Sequence, residues 1–160
     1  MGKTPGVPPA ASYPRAGQGK RGQAGHLAYL LRQGAGAVRL RMERLLANLE
    51  VTTAQFAVLT MLDAYPQASG ADIARLAMLT PQTVHGITGN LRRAGLIDAT
   101  PSAAHGRIQT LALTAAGKEL LAACKARVEG LEQDLAADLT DGEEDVIRRW
   151  LVSLALPGAA

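Results

Sequence analysis

The 160-residue sequence predicts a mainly α-helical fold that contains one two-stranded β-hairpin. Apolar residues recur at helical spacing along most of the chain, and hydroxyl residues precede several of these stretches as helix caps. In one short region, apolar and polar residues instead alternate, as they do in a β-strand. The predicted order is therefore four helices, two strands and two further helices. We expect residues 1–25 to form a disordered basic arm and residues 26–156 to form a single domain.

The first helix is predicted to begin after His26, where apolar residues start to recur at helical spacing. Gly34 and Gly36 are expected to weaken it, because an interior glycine costs about 0.5–1 kcal/mol relative to alanine. Residues 1–25 contain four of the eight prolines and six of the seventeen glycines, with almost nothing to bury. That composition is typical of a disordered arm. The arm is either an inert tail or a source of salt-dependent, sequence-independent affinity for a polyanionic partner.

Three later helices begin with one signature, a hydroxyl residue followed three positions on by Gln, Asp or Glu. The pairs are Thr52 with Gln55, Ser69 with Asp72, and Thr140 with Glu143. The first of these helices is predicted to stop near Pro66, and the second to run through Leu79. Thr114 is expected to cap the fifth helix. The closing helix is expected to bury five apolar residues: Val146, Ile147, Trp150, Leu151 and Leu154.

The segment "TPQTVHGITGNLRRAGLI" (80–97) predicts the fourth helix, with Thr80 as its cap, Pro81 in its first turn and Gly95 at its end. It begins only a few residues after the third helix. Two short helices joined by so tight a turn indicate a helix-turn-helix. After Gly95, a short strand, the loop "TPSAAHGR" and the alternating "IQTLALT" predict a two-stranded wing.

On a helical wheel, the fourth helix turns Val84, Ile87, Thr88 and Leu91 inward. The opposite face and its flanks carry Gln82, Thr83, His85, Gly86, Gly89, Asn90, Arg92 and Arg93. Gln and Asn can pair bidentately with adenine, Thr can contact thymine, and His can donate to guanine. The alternative is an ordinary solvated helix face. We interpret the two glycines as positions that let the backbone approach the floor of a DNA groove.

The charge is unevenly distributed along the chain. The formal net charge is +3, but residues 75–107 carry four arginines against one aspartate, whereas residues 108–160 carry five cations and nine acids. The positive charge therefore lies on the predicted helix-turn-helix and wing, which favours a nucleic-acid partner.

Several other classes of site are not indicated. His26, His85 and His105 lie too far apart for zinc-ligand spacing, and no catalytic or cofactor motif is recognisable. We therefore expect no enzyme activity, metal or cofactor. No apolar run approaches a signal peptide or a membrane span, so we expect a cytoplasmic protein without membrane contact. The single cysteine, Cys124, is either a redox-active thiol or, as its apolar neighbours favour, a small core residue.

These elements, in this order, resemble the MarR family of winged helix-turn-helix transcriptional regulators from about Leu27 to Leu154. "VTTAQFAVLTML" (51–62) is similar to the second helix of the family, residues 81–97 to its recognition helix and first wing strand, and "LTDGEEDVIRRWL" (139–151) to its closing helix. The wing segment "HGRIQTLALT" (105–114) keeps an arginine, leucine and threonine in register. His105 stands where the family has an aspartate that braces the wing arginine.

The resemblance implies a homodimer that binds a pseudo-palindromic operator and releases it when a small aromatic or lipophilic effector binds. Residues 26–50 and 115–156 would supply the dimerisation helices and residues 51–114 the winged helix-turn-helix. The fourth helix would enter the major groove and Arg107 the minor groove. The expected DNA-binding residues are Gln82, Thr83, His85, Gly86, Asn90, Arg93, Arg75, Ser69, His105 and Arg107. The alternative function is a winged-helix protein-interaction module without an operator.

Overall fold

The structure is a computed structural model, which describes residues 13–101 and 109–156. Its contacts divide the chain into two units, residues 1–40 and 41–160. The single domain predicted for residues 26–156 stays a prediction. The elements are α1 Leu27–Leu46, α2 Thr53–Ala64, α3 Gly70–Leu76, α4 Pro81–Arg93, β1 Ile97–Pro101, β2 Gln109–Leu113, α5 Ala115–Ala136 and α6 Asp141–Ala155, with short 3-10 turns at Gly19–Arg21 and Ala47–Leu49.

Within the first unit, Arg21 links the residues before α1 to the helix and to Pro14. Arg21 donates from Nε to Oε1 of Gln33 over 3.2 Å and from Nη1 to the carbonyl of Pro14 over 3.2 Å. Residues 1–12 of the predicted basic arm lie outside the described residues. The helix α1 runs unbroken through Gly34 and Gly36, as the predicted long first helix does, and the expected weakening at these glycines stays a prediction.

The predicted helix caps are confirmed. Thr52, Ser69 and Thr140 each accept a hydrogen bond from a backbone N–H three residues on, and the side chain at that position bonds back to the cap residue. Thr80 and Thr114 also accept such a backbone bond. The free N–H groups of five helix starts are therefore partly satisfied by side chains close in sequence. The helix α3 ends at Leu76, three residues before the predicted Leu79.

The helix α4 ends in a Schellman motif. Gly95 has φ +70°, its N–H donates to the carbonyl of Arg92 over 3.0 Å, and the N–H of Leu96 donates to the carbonyl of Leu91 over 2.9 Å. Glycine suits this position because a left-handed backbone carries no penalty without a β-carbon. The chain then reverses directly into β1.

The hairpin is antiparallel, with Ile97 opposite Leu113 and Pro101 opposite Gln109. The segment that precedes α3 pairs with β2 on its other edge. The N–H of Gln67 donates to the carbonyl of Leu111 over 3.2 Å, and the N–H of Leu111 donates to the carbonyl of Ala68 over 3.0 Å. The base of the wing is thus hydrogen-bonded to the start of the helix-turn-helix. Residues 102–108, between the two strands, lie outside the described residues.

Two hydrophobic clusters hold the second unit together. The larger joins α2, α3, α4, both strands and α5, and its buried members are Val58, Leu59, Leu62, Ile73, Ala74, Val84, Leu91, Ile97, Leu111 and Leu121. The smaller joins the end of α1 to α5 through Leu46, Val51, Cys124 and Val128. Phe56 packs against both clusters, as a core aromatic residue. The burial of Val84 and Leu91 in the larger cluster holds the inner face of α4 against the core.

The expectation for α6 is wrong within this chain. Val146, Ile147, Trp150, Leu151 and Leu154 are exposed, with between 38% and 55% of their surface accessible. Periodicity correctly placed these residues on one apolar face, but no described part of the chain covers that face. So large an apolar stripe on a helix is typical of an interface with another chain.

Among residues 13–101 and 109–156, no single helix has both the length and the hydropathy needed to cross a membrane. One bent pair within these residues reaches the length and composition of a membrane span: α1 with its following turn, counted together with α2. The same residues include no group of three or more His, Cys, Asp or Glu side chains placed to hold a metal ion.

Candidate nucleic-acid interface

The orientation of α4 follows the predicted wheel. Val84 and Leu91 are 1% and 3% exposed, whereas Gln82, Gly86 and Arg93 on the opposite face are exposed. The third helix packs against α4 across a turn in which the N–H of Leu79 donates to the carbonyl of Ala74 over 2.9 Å. The result is a helix-turn-helix whose second helix presents a polar outer face.

Gly86 and Gly89 lie in open space. A β-carbon built at either position meets no heavy atom within 4 Å outside the helix backbone close by. Packing against the part of the chain that the structure describes therefore gives no reason for glycine, although each one lowers the stability of α4 relative to alanine. The open stripe lies beside the polar residues best suited to contact bases.

At the start of α4, Gln82 and Thr83 differ in how free their side chains are. The hydroxyl of Thr83 lies 2.8 Å from the hydroxyl of Thr80, and the N–H of Thr83 donates to Thr80 over 3.1 Å. The side chain of Gln82 makes no hydrogen bond to any residue that the structure describes. Gln82 thus keeps both its amide donor and its carbonyl acceptor for a base edge.

At the other end of α4, Asn90 and Arg93 bind each other. Arg93 donates from Nη2 to Oδ1 of Asn90 and from Nε to the carbonyl of Gly89 over 3.4 Å. Bidentate recognition of adenine would use Oδ1 of Asn90 as an acceptor as well. Because an amide oxygen has two lone pairs, Asn90 could accept from a base while Arg93 stays bound to it or after Arg93 turns to a phosphate.

Ser69 and Arg75 are held by one carboxylate at the start of α3. Asp72 accepts from the hydroxyl of Ser69 over 2.6 Å, from the N–H of Ser69 over 3.1 Å and from Nη2 of Arg75. These bonds lower the pKa of Asp72, the Ser69 hydroxyl most strongly, followed by the backbone N–H of Ser69 and then Arg75. The Ser69 hydroxyl is thus committed to the cap, whereas the Arg75 side chain remains 79% exposed.

His85 lies on the flank of α4 that faces the wing. With Thr88, Gln109 and Leu111 it lines two neighbouring grooves between α4 and β2, of about 270 and 140 Å³. Gln109 is an exposed residue at the base of the wing that sequence reasoning did not select. The alternation of "IQTLALT" placed it on the outer face of its strand, which is the signal that would have identified it.

The two remaining expected contacts, His105 and Arg107, lie outside the described residues. Cys124 is remote from this interface, fully buried in the smaller hydrophobic cluster. Burial raises the pKa of its thiol, which disfavours the reactive thiolate. Its position supports the interpretation of Cys124 as a core residue.

The fold and this surface define a class: a winged helix-turn-helix protein whose second motif helix presents an exposed polar face. The family model described as MarR family matches residues 49–108. The chain is 31% identical over 128 residues to the HTH-type transcriptional repressor Rv2887 of Mycobacterium tuberculosis, which covers 80% of this chain and 92% of that protein. The chain therefore belongs to the MarR family of transcriptional regulators, and the predicted family and fold class are confirmed.

Solved structures agree with this assignment. The chain is 28% identical to the transcriptional repressor CouR of Rhodococcus jostii bound to a 23-mer DNA duplex, with a TM-score of 0.75 over 82% of this chain and 94% of that one. It is 27% identical to the PcaV transcriptional regulator of Streptomyces coelicolor in complex with its natural ligand, with a TM-score of 0.71 over 82% and 93% of the two chains.

Proposed function

We propose that this protein is a homodimeric transcriptional repressor that binds a pseudo-palindromic operator through α4 and is released by a small-molecule effector. The observation that carries the proposal is the outer face of α4, which is polar, exposed at Gln82, Gly86 and Arg93, and left uncovered by the residues that the structure describes. In a helix-turn-helix this face enters the major groove. The similarity to a repressor that is 31% identical supports the same role.

The site residues divide by their chemistry. Gln82, Thr83 and Asn90 contact bases, since their amides and hydroxyl match donor and acceptor patterns in the major groove. Arg75 and Arg93 contact phosphates, and His85 contacts a base or a phosphate from the flank beside the wing. Because Gly86 has no side chain, the backbone of α4 can approach the floor of the major groove at this position. Ser69 contributes by capping α3, close to the DNA surface.

The wing supplies the remaining contacts of the proposal. Arg107 enters the minor groove that flanks the half-site, and His105, two positions earlier in the sequence, is a further DNA contact of the proposal. A cationic side chain in a narrow minor groove is attracted by its enhanced negative potential. The hydrogen bonds from the N–H of Gln67 to the carbonyl of Leu111, and from the N–H of Leu111 to the carbonyl of Ala68, fix the base of this wing relative to α3.

The homodimer is supported by the uncovered apolar face of α6. Its five large apolar residues, together with α1 and α5, form the dimerisation region of the proposal. A twofold axis through that region places the two copies of α4 about one helical turn of DNA apart, which matches an inverted repeat. Dimerisation also doubles the number of phosphate contacts and therefore the salt dependence.

The effector part of the proposal draws on PcaV, whose structure contains its natural ligand. A protein that binds chromosomal operators acts in the cytoplasm, and binding and release of DNA require no catalytic step. The alternative function is a protein-interaction module without an operator, in which the open stripe of α4 would accept a protein partner. The DNA complex of CouR favours a DNA partner for that stripe.

The proposal is tested by selecting bound fragments from genomic DNA and titrating the enriched sequence by fluorescence anisotropy. We expect an inverted repeat with half-sites about one helical turn apart, and affinity that falls steeply with salt. Binding that is absent across the whole fragment pool, or that does not depend on salt, would rule out the operator function.

A further inference from the structure

Two turns flank α3, and each contains one residue other than glycine in the left-handed backbone region. Gln67, before the helix, has φ +73°, and Met78, after it, has φ +53°. The side chain of Met78 is 81% exposed. The side chain of Gln67 instead reaches the wing, where its Oε1 accepts from the hydroxyl of Thr110 over 2.9 Å. The strained backbone at Gln67 therefore coincides with a contact between the helix-turn-helix and the wing.

The hydrogen bond to Gln67 extends across both strands of the wing. Thr110 on β2 lies directly opposite Thr100 on β1, and their hydroxyl oxygens are 3.2 Å apart. A hydroxyl donates one hydrogen and also accepts, so Thr110 can accept from Thr100 while it donates to Gln67. The three side chains thus form a continuous chain of hydrogen bonds from the turn before α3, through β2, to β1.

The backbone supports the wing at the same place. The N–H of Gln67 donates to the carbonyl of Leu111 over 3.2 Å, and the N–H of Leu111 donates to the carbonyl of Ala68 over 3.0 Å. Ser69 pairs with Thr110 as an isolated antiparallel bridge. Removing the side chain of Gln67 would leave these backbone contacts in place, so the side-chain contribution can be tested separately.

The side-chain contact lies close to the end of the described hairpin. Beyond the pair of Thr100 and Thr110, one more described pair precedes residues 102–108, which include Arg107. A two-stranded hairpin is only marginally stable without further packing. A support next to this segment therefore restricts the direction in which the wing projects.

We infer that Gln67 positions the wing and thereby sets how strongly the protein prefers A·T-rich base pairs beside each half-site. The inference rests on the proposed function, in which Arg107 enters the flanking minor groove. A narrow A·T-rich minor groove attracts a cationic side chain through its enhanced negative potential. That attraction depends on distance, so a wing held in one direction discriminates between flanking sequences better than a loosely held wing.

The test uses the selected operator in two forms, which differ only in whether the base pairs outside the half-sites are A·T-rich or G·C-rich. Fluorescence anisotropy with the full-length protein gives the ratio of the two affinities. We expect Gln67→Gly and Gln67→Ala each to lower this ratio about threefold, the effect of one exposed hydrogen bond. Glycine relieves the left-handed strain and alanine retains it, so a loss common to both variants belongs to the side chain.

Three further variants separate wing positioning from folding. Thr110→Val removes the hydroxyl and should lower the ratio equally, and the double variant with Gln67→Ala should show no further loss, because both remove the same bond. Met78→Gly is the matched control, since it relieves the same kind of strain beyond the other end of α3 and should leave the ratio unchanged. The urea midpoint of Gln67→Gly should be no lower than that of wild type, which excludes a folding defect.

Hydrogen exchange of the wing provides a readout that needs no DNA. Peptides that cover residues 97–113 report how often the wing opens. We expect these peptides to exchange several-fold faster in Gln67→Ala than in wild type, and at the wild-type rate in Met78→Gly.

The outcomes distinguish this inference from the proposed function. Operator binding with the same affinity ratio in wild type, Gln67→Ala and Thr110→Val would overturn the inference and leave the repressor function intact. A wild-type protein that binds its operator without preference for the flanking base pairs would also overturn it. If wild type binds no operator, the repressor function fails and the specificity role fails with it, whereas faster exchange in Gln67→Ala would retain Gln67 as a support of the wing.

Discussion

The carbonyl oxygen of Leu96 lies 2.0 Å from the position that a β-carbon on Gly117 would occupy. Thr114 completes this contact, since its N–H donates to the Leu96 carbonyl over 3.1 Å and its hydroxyl donates to the Gly95 carbonyl over 2.8 Å. The first turn of α5 is therefore packed directly on the turn that joins α4 to β1. This contact links the helix-turn-helix to the helix that follows the wing.

Gly117→Ala should destabilise the protein by about 1–3 kcal/mol. The atom that the new methyl group meets belongs to the backbone of a Schellman motif, so neither side can yield by changing a rotamer. Chemical unfolding of the variant measures the loss. Gly130→Ala on the same helix is the matched control, and it should gain about 0.5–1 kcal/mol because its β-carbon meets open space. Equal stability of the two variants would contradict the close contact.

Replacing Met78 with glycine should stabilise the protein. It lies in the turn between α3 and α4 with φ +53°, and its side chain is 81% exposed. A left-handed backbone costs an L-residue about 1–2 kcal/mol, and glycine lacks this penalty although it gains entropy in the unfolded chain. We expect Met78→Gly to raise the free energy of unfolding by up to about 1 kcal/mol. Met78→Ala retains the strain and should not gain, so an equal gain from alanine would point to the removed side chain instead.

The helix starts were predictable because capping is local chemistry. Thr52, Ser69 and Thr140 satisfy N–H groups only three residues away, so the necessary information lies within four positions of sequence. The inner face of α4 was predictable for a related reason. A helix has a fixed period, and Val84 and Leu91 lie two turns apart on one stripe.

Contacts between distant positions were not predictable in this way. Gly117 meets Leu96 across the whole wing, and nothing in the local pattern around either residue indicates it. The pairing of Asn90 with Arg93 depends on rotamers that spacing permits without requiring. For α6, the period identifies an apolar face but contains no information about what covers it, which is why Trp150 is exposed in this chain.

The stability of the protein should fall in acid partly through Asp72. The bonds from Ser69 and Arg75 lower the pKa of this carboxyl below its ordinary value of 3.8. Its contribution is therefore complete above pH 3.8 and is lost as the pH falls through the lower folded value. We expect Asp72→Asn to be less stable than wild type at neutral pH, with the difference shrinking below pH 3.8, as measured by urea unfolding at several pH values.

Glu143 provides a parallel case at the start of α6. Hydrogen bonds from Thr140, the backbone N–H first, lower its pKa below 4.5. The stability of Glu143→Gln should therefore approach that of wild type as the pH falls, at a somewhat higher pH than for Asp72→Asn.

A stability difference for Asp72→Asn that stayed constant from neutral pH to pH 3 would show that the charge of Asp72 does not contribute.

Cys124 should be inert in the folded protein. It is fully buried, and burial raises the pKa of its thiol, so a thiol reagent has neither access nor a thiolate to attack. We expect a chromogenic disulfide to label Cys124 no faster than the protein unfolds. The absorbance of the released thiol measures this rate. Cys124→Ser should destabilise by about 1–3 kcal/mol by burying a hydroxyl, with Cys124→Ala as the apolar control. Rapid labelling of native protein would contradict the core position and favour a redox role.

Gly86→Ala tests the purpose of the open stripe on α4. A β-carbon at this position meets no heavy atom of the described residues within 4 Å outside the adjacent helix backbone, so the variant should be more stable by about 0.5–1 kcal/mol. If the bare backbone approaches the groove floor, the same methyl group should lower operator affinity by about tenfold, an effect comparable to one lost base contact. Anisotropy titration and chemical unfolding of one preparation measure both quantities.

Gly130→Ala gains stability on α5 without altering α4, so it separates a stability effect from an interface effect. Operator binding by Gly86→Ala as tight as that of wild type, or tighter, would mean that the glycine is merely tolerated and that specificity rests on Gln82 and its neighbours alone.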